Sequence, residues 1–308
     1  MKWVKRIFIS IGVFAALLLF VALPIGGSFL ITNSRFRFPE RGAKTAAEVG
    51  LEVEDVAFTS SDGIPLKGWW NPGEEGFPVI IFEHGLNRSR LEMLDRAAEA
   101  RKRGYGVLLF DMRNHGQSGD AYTTLGINEA HDVCAASRVA EERAPSRVKL
   151  AWGVSLGAST ALLAVKECGG FAGVVSDSAF VSFRDTVTHH FRLYFHLPSF
   201  PIANMIIALT GWRMGLDPDD GDVESAVRTF GNIPLLVIAG GRDVRMPPDV
   251  AKRLFDASTS PLKQFLLIPN ATHGEAFRAD RTLYLDTVFR FFAIIRGDRK
   301  GLQGEGKS

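Results

Sequence analysis

The five residues Gly153-Val154-Ser155-Leu156-Gly157 constrain this chain more than any other stretch, because they stand where an apolar run (147–152) meets a helix-forming one (156–166). A Gly-x-Ser-x-Gly run in that place predicts a sharp strand-to-helix turn that lifts a serine clear of a sheet edge, at the amino end of the following helix. Glycines are needed two positions either side because larger side chains would collide with neighbouring backbone in so tight a turn. So short a pattern also arises by chance, so its weight comes from the surrounding elements.

Those elements alternate. Residues 53–59 and 64–70, joined by Ser60-Ser61-Asp62-Gly63, have the pattern of an antiparallel hairpin. Apolar strands are expected at 78–83, 106–111, 147–152, 171–176, 234–239 and 263–268, and helices at 89–103, 128–143, 156–166, 248–258 and 280–295. Such alternation implies an α/β fold with a mostly parallel sheet covered on both faces. The stretch 180–230 breaks the rhythm. It is rich in aromatic and aliphatic residues, is punctuated by Pro198, Pro201 and Gly211, and is too long for an ordinary connection. It is read as a helical lid over the carboxyl edge of the sheet, the alternative being extra core helices.

Residues 7–31 carry no charge, and 25 residues at about 1.5 Å each cross a bilayer core of about 30 Å. The run is much longer than the apolar region of a cleaved secretory signal, and no Ala-x-Ala site follows, so a transmembrane anchor over 1–31 is expected. Lys2, Lys5 and Arg6 favour a cytoplasmic amino terminus, nearly offset by Arg35, Arg37, Arg41 and Lys44. The lean is toward an extracytoplasmic catalytic domain. A juxtamembrane linker (32–50), a main domain (51–296) and a disordered polar tail (297–308) complete the expected organisation.

A formal charge of +2, with no basic stripe interleaved with aromatics, argues against nucleic acid as a partner. Cys134 and Cys168 lie in expected helices without Cys-x-x-Cys spacing, and are read as small buried apolar residues rather than a disulfide or a reactive thiol. His189, His190 and His196 lack His-Glu-x-x-His spacing, so no metal and no cofactor is expected.

Serine is a weak nucleophile unless a base takes its proton and a third group orients that base. Of seven histidines, His273 alone lies in a loop just after a late strand, in Pro269-Asn270-Ala271-Thr272-His273-Gly274. Asp243, in Gly240-Gly241-Arg242-Asp243, occupies the equivalent loop after the preceding strand, giving the chain order Ser, Asp, His that this elbow requires. Asp177, after the sixth strand, is the alternative acid. The backbone amides of Leu156 and of Leu86, in Glu83-His84-Gly85-Leu86, are the expected oxyanion donors.

On these motifs, together with Asp111-Met112-Arg113-Asn114-His115-Gly116-Gln117-Ser118, residues 53–295 resemble a serine hydrolase of the α/β-hydrolase superfamily, similar to its serine aminopeptidase-like and esterase-like branches. The resemblance implies that the 111–118 run is structural, with His115 a loop brace and His84 held locally. It implies ester, thioester or amide hydrolysis through Ser155, His273 and Asp243. Acyl transfer differs only in the second nucleophile, and a catalytically silent binding protein could keep the same fold. Dehalogenase chemistry is excluded because it needs a carboxylate where Ser155 stands. With an anchor beside an aromatic lid, Phe191, Phe195, Phe200 and Ile206 are expected to line an acyl channel or to lean on lipid.

Overall fold

The computed structural model describes residues 2–33, 42 and 45–297. Arg35, Arg37, Arg41 and Lys44, most of the expected linker, and residues 298–308 of the expected tail lie outside the described residues. The amino-terminal helix runs Lys2–Thr32, long and apolar enough to cross a membrane. It comprises α1 (Lys2–Leu17), a π-helical turn (Leu18–Ala22) and α2 (Leu23–Thr32).

The hairpin forms as expected: β1 (Glu54–Thr59) pairs antiparallel with β2 (Pro65–Asn71), from Glu54↔Trp70 to Thr59↔Pro65. Then follow β3 (Val79–Glu83), α3 (Leu94–Arg101), β4 (Gly106–Asp111), α4 (Glu129–Arg143), β5 (Lys149–Val154), α5 (Leu156–Cys168) and β6 (Gly173–Asp177). After β6 come α6 (Phe183–Phe195), α7 (Ile202–Met214) and α8 (Val223–Arg228), then β7 (Leu235–Gly240), α9 (Pro248–Ala257), β8 (Lys263–Ile268), α10 (Ala276–Ala279) and α11 (Arg281–Arg296). The strands order as β1-β2-β4-β3-β5-β6-β7-β8. β2 meets β4 antiparallel, and every pairing from β4 through β3 to β8 is parallel.

Parallel pairing collects the carboxyl ends of β3, β5, β6, β7 and β8 along one edge, so the loops that follow them meet there. The central strands are buried on both faces, which is why they appear in the sequence as unbroken apolar runs rather than alternating ones. One core layer joins the sheet to α4, α5 and α8; the other joins it to α3 and α11 through Trp152, Tyr284 and Phe292. Each large apolar side chain buried there contributes about 1.5–3 kcal/mol.

One expectation about the helices is corrected. Cys134 on α4 and Cys168 at the end of α5 form a disulfide, with Cα atoms 6.0 Å apart, rather than two separate thiols. The two helices pack side by side, a proximity that a separation of 34 residues does not announce. The 180–230 stretch forms helices of its own, as expected, and its apolar side chains divide between core and surface. Phe183, Val187, Phe191, Ile202, Ile206 and Ile207 join the core, whereas Tyr194, Phe195, Phe200 and Trp212 face outward.

A buried charge fastens the sheet to its flank. Arg113, 2% exposed, places Nε and Nη2 on both carboxylate oxygens of Asp132 in α4 at 2.7–3.1 Å, and Nη1 and Nη2 on Asp62 in the β1–β2 turn at 2.6 and 2.8 Å. This guanidinium holds the Asp62 carboxyl down at about 2. Because the folded value lies below the ordinary one, the stabilisation from Asp62 is present above about pH 4 and fades as pH falls toward 2. Replacing Arg113 leaves Asp132 buried without its counter-ion. Arg113→Met should therefore destabilise the protein by about 3–5 kcal/mol, read as a lower urea midpoint. Asp62→Asn, at the more exposed end, should cost far less.

Candidate active site

Ser155 sits between the last residue of β5 and the first of α5 with φ +54° and ψ −115°, a left-handed conformation that a non-glycine residue adopts only when its surroundings enforce it. The surroundings are tight. A Cβ on Gly153 would lie 2.4 Å from the Gly157 carbonyl carbon, and a Cβ on Gly157 would lie 2.2 Å from the Glu83 carbonyl oxygen. The elbow is therefore closed by α5 lying directly on the end of β3, and the two glycines are what permit it. Ser155 N–H also donates to the Asp177 carbonyl at 2.8 Å, which ties the turn to β6.

A second close approach brings the other two residues together. A Cβ on Gly241 would lie 2.4 Å from the Pro269 carbonyl oxygen, and one on Gly240 would lie 2.6 Å from that of Ala271, so the loops after β7 and β8 lie against each other. Arg242 N–H donates to the Ala271 carbonyl at 2.8 Å across this seam. The result is a continuous relay: His273 Nε2 is 2.8 Å from Ser155 Oγ, and His273 Nδ1 is 2.7 Å from Asp243 Oδ2. Asp243 is itself buried and aimed, because its Oδ1 accepts the Arg245 and Met246 amides at 2.9 and 2.8 Å.

Asp177, the alternative acid, is engaged elsewhere. Its Oδ2 accepts from Tyr284 Oη at 3.0 Å and faces Arg96 at 3.7 Å, and its Oδ1 accepts from Ser178 Oγ at 2.9 Å. Burial pushes its carboxyl up despite the Arg96 charge. Ser178 Oγ also receives the Gly274 amide at 3.2 Å, so Asp177 supports the elbow and the histidine loop from beneath.

Leu156 opens α5, where first-turn amides have no intrahelical acceptor, and Leu86 follows Gly85 on the facing loop. That loop is braced. His84 Nδ1 donates to the Gly85 carbonyl at 2.8 Å while its Nε2 accepts the Met112 amide; His115 Nδ1 donates to the Arg113 carbonyl while its Nε2 accepts the Asn87 amide. Both histidines are thus fixed as neutral Nδ1–H tautomers, consistent with bracing. Sequence reasoning missed Glu92, whose Oε2 accepts the Gly85 amide at 2.6 Å and pins the turn. Nothing in a polar residue near a helix start distinguishes it from a solvated one. It also missed Arg96 and Tyr284, because a buried arginine within Leu94–Arg101 looks like the surface arginines around it.

The cleft above Ser155 has a volume of about 290 Å³ and is bordered by Leu86, Arg88, Glu92, Val244, Arg245 and Glu275. Phe191, Phe195, Phe200 and Ile206 do not line it, which corrects the acyl-channel half of the expectation: Phe191 and Ile206 join the core, Phe195 and Phe200 face outward, and the rim is charged. His189 Nε2 bonds the Val244 carbonyl, His190 Nδ1 the Thr186 carbonyl, and His196 ends α6; among the described residues, no three metal-ligating side chains converge.

Residues 80–287 match the Alpha/beta hydrolase family. The chain is 27% identical over 302 residues to the uncharacterized protein YqkD of Bacillus subtilis, covering 93% of this chain and 97% of that one. It is 28% identical over 284 residues to the uncharacterized protein Rv2307c of Mycobacterium tuberculosis, covering 88% and 92%. Among solved structures, the Pyrococcus furiosus esterase Pf2001 superposes with a TM-score of 0.69 at 24% identity, over 84% of this chain and 97% of that one.

The clearance at the elbow predicts its own sensitivity. Gly157→Ala adds one methyl against the fixed β3 backbone and should cost about 1–3 kcal/mol or more in urea unfolding.

Proposed function

The chain belongs to the alpha/beta hydrolase family, and from that premise we propose that it is a membrane-anchored serine hydrolase that cleaves carboxylic ester, thioester or amide bonds through an acyl-enzyme on Ser155. The observation that carries this reading is the unbroken relay from Ser155 through His273 to Asp243, at 2.8 and 2.7 Å.

In this reading Ser155 Oγ attacks the substrate carbonyl while His273 Nε2 accepts its proton. Asp243 holds Nδ1–H and stabilises the imidazolium that forms. The Leu86 and Leu156 amides receive the oxyanion, and the positive end of α5 lies behind it. Collapse of the tetrahedral intermediate expels the leaving group, protonated by His273. Water, activated by the same imidazole, then adds to the acyl carbon and releases the acid. The relay needs no metal or cofactor for these steps. Acyl transfer to an alcohol or amine would use the same relay with a different second nucleophile.

Placement outside the cytoplasm draws support from two independent features. The charges Lys2, Lys5 and Arg6 before the span lean that way, though Arg35, Arg37, Arg41 and Lys44 nearly offset them, and the Cys134–Cys168 disulfide fits an oxidising compartment. The charged rim and modest volume of the cleft favour short or polar acyl groups over long chains.

The detergent-solubilised chain should react covalently with a fluorophosphonate probe and hydrolyse p-nitrophenyl esters, with kcat/KM highest for the short acyl chains. Ser155→Ala should abolish both activities, and unchanged labelling in that variant would remove the reading. Asp243→Asn should lower kcat by up to about 10⁴-fold by favouring the wrong imidazole tautomer. Asp177→Asn should instead lower the melting temperature, since it strands Arg96, and should leave kcat of the folded fraction much closer to the parent value. Reversed effects would move the acid to Asp177.

A further inference from the structure

We propose that the turn between α6 and α7 is seated in the bilayer leaflet from which the amino-terminal helix emerges, as a second membrane contact beside the cleft. The proposal rests on the reading of residues 2–32 as a membrane span. Residues 194–201, Tyr-Phe-His-Leu-Pro-Ser-Phe-Pro, carry no Asp, Glu, Lys or Arg. Tyr194 and Phe200 are 61% and 76% exposed, and Phe195 and Leu197 are exposed beside them. Arg192, the nearest cation in the chain, turns its Nε back to Ser199 Oγ at 3.1 Å. So compact an apolar tip, left facing water, calls for an occupant.

The amino-terminal helix brings that occupant, the lipid leaflet, alongside the tip. α2 packs directly on α7: Gly27 lies against Ile206, Ser28 Oγ bonds Thr210 Oγ1 at 3.0 Å and Arg213 Nη1 at 2.6 Å, and the Arg213 guanidinium lies 3.6 Å from the centre of the Phe29 ring. These pairings advance together along both helices, so α2 and α7 run in the same sense. The amino-terminal end of α7, where Phe200 sits, is therefore on the bilayer side of the contact. Counted from Arg6, the last charge before the span, about 20 residues fill a 30 Å hydrocarbon core and reach roughly Gly26, next to the contact with Ile206. α7 begins at Ile202, about 6 Å of helical rise from Ile206 back toward the core, and Phe200 lies just ahead of that first turn.

The side chains around the far end of α7 suit the headgroup layer. Trp212 is 80% exposed, and Tyr122 and Phe29 flank the Arg213 guanidinium. Tryptophan, tyrosine and arginine at the level where a span emerges form the belt expected of a membrane–water interface. α6 connects the tip to the cleft, because its His189 bonds the Val244 carbonyl on the rim.

The test uses the full chain, reconstituted without reductant in phosphatidylcholine–phosphatidylglycerol nanodiscs, carrying single cysteines labelled with bimane. Phe14→Cys reports the span, Phe200→Cys and Leu197→Cys report the turn, and Leu283→Cys on α11 is the aqueous reference. Nitroxide-bearing lipids should quench the labels at 14, 197 and 200, while iodide quenches them several-fold less than the label at 283. If the label at 14 is quenched by lipid but those at 197 and 200 respond to iodide as the reference does, the second contact is overturned and the span stands. If lipid quenches none of them, the span reading falls and the proposal with it.

Discussion

The closure of α5 onto the end of β3 is the constraint on which the rest of the site depends. With Gly153 and Gly157 lacking side chains, the helix start lies against the Glu83 carbonyl, and Ser155 is driven to φ +54°. A non-glycine residue held there costs on the order of 1–3 kcal/mol, which neighbouring packing must offset. The same closure sets the distance to the facing loop, where a Cβ on Gly85 would stand 3.6 Å from Ser155 Cβ. Ser155 and the Gly85 loop are thus positioned by one backbone contact, and the paired glycines Gly240 and Gly241 at the end of β7 repeat the device for His273 and Asp243.

Beneath these turns lie two buried ionic groups with different tasks. Arg113 joins the β1–β2 turn, the loop after β4 and α4, outside the relay. Arg96, Asp177 and Tyr284 lie under the relay, where Asp177 reaches the elbow through its carbonyl and the histidine loop through Ser178. Such groups contribute little net stability as pairs, but each is costly to break singly, and so they fix register among loops that the apolar core leaves free.

All eight strands are legible in the sequence, the parallel ones as short apolar runs between turn residues and β1 and β2 as a hairpin around Ser60-Ser61-Asp62-Gly63, and the elbow, Asp243 and His273 follow from their place after particular strands. Three things are not legible. The Cys134–Cys168 bond depends on helix neighbours that the spacing does not encode. Glu92, Arg96 and Tyr284 are ordinary residues in amphipathic patterns, made important only by which loops fold back on them. The aromatic residues of 180–230 divide between core and surface according to how α6 and α7 rotate, and a stripe this rich in apolar positions leaves the rotation open.

The end of α2 is joined to more than the neighbouring helix. The Thr32 carbonyl accepts the Thr123 amide at 3.0 Å, and Asn114 Nδ2 approaches it at 3.5 Å, so the amino-terminal helix is bonded to the loop that braces the Gly85–Leu86 turn. On the proposed reading of this helix as a membrane span, such a junction would make it a strut rather than a tether. With the helix in a bilayer, the cleft would be held at a set height and heading, and its search for substrate would become two-dimensional. Selection then acts on how far a scissile bond projects from the membrane plane as well as on its chemistry, so two molecules with identical reactive groups but different reach would be treated as different substrates.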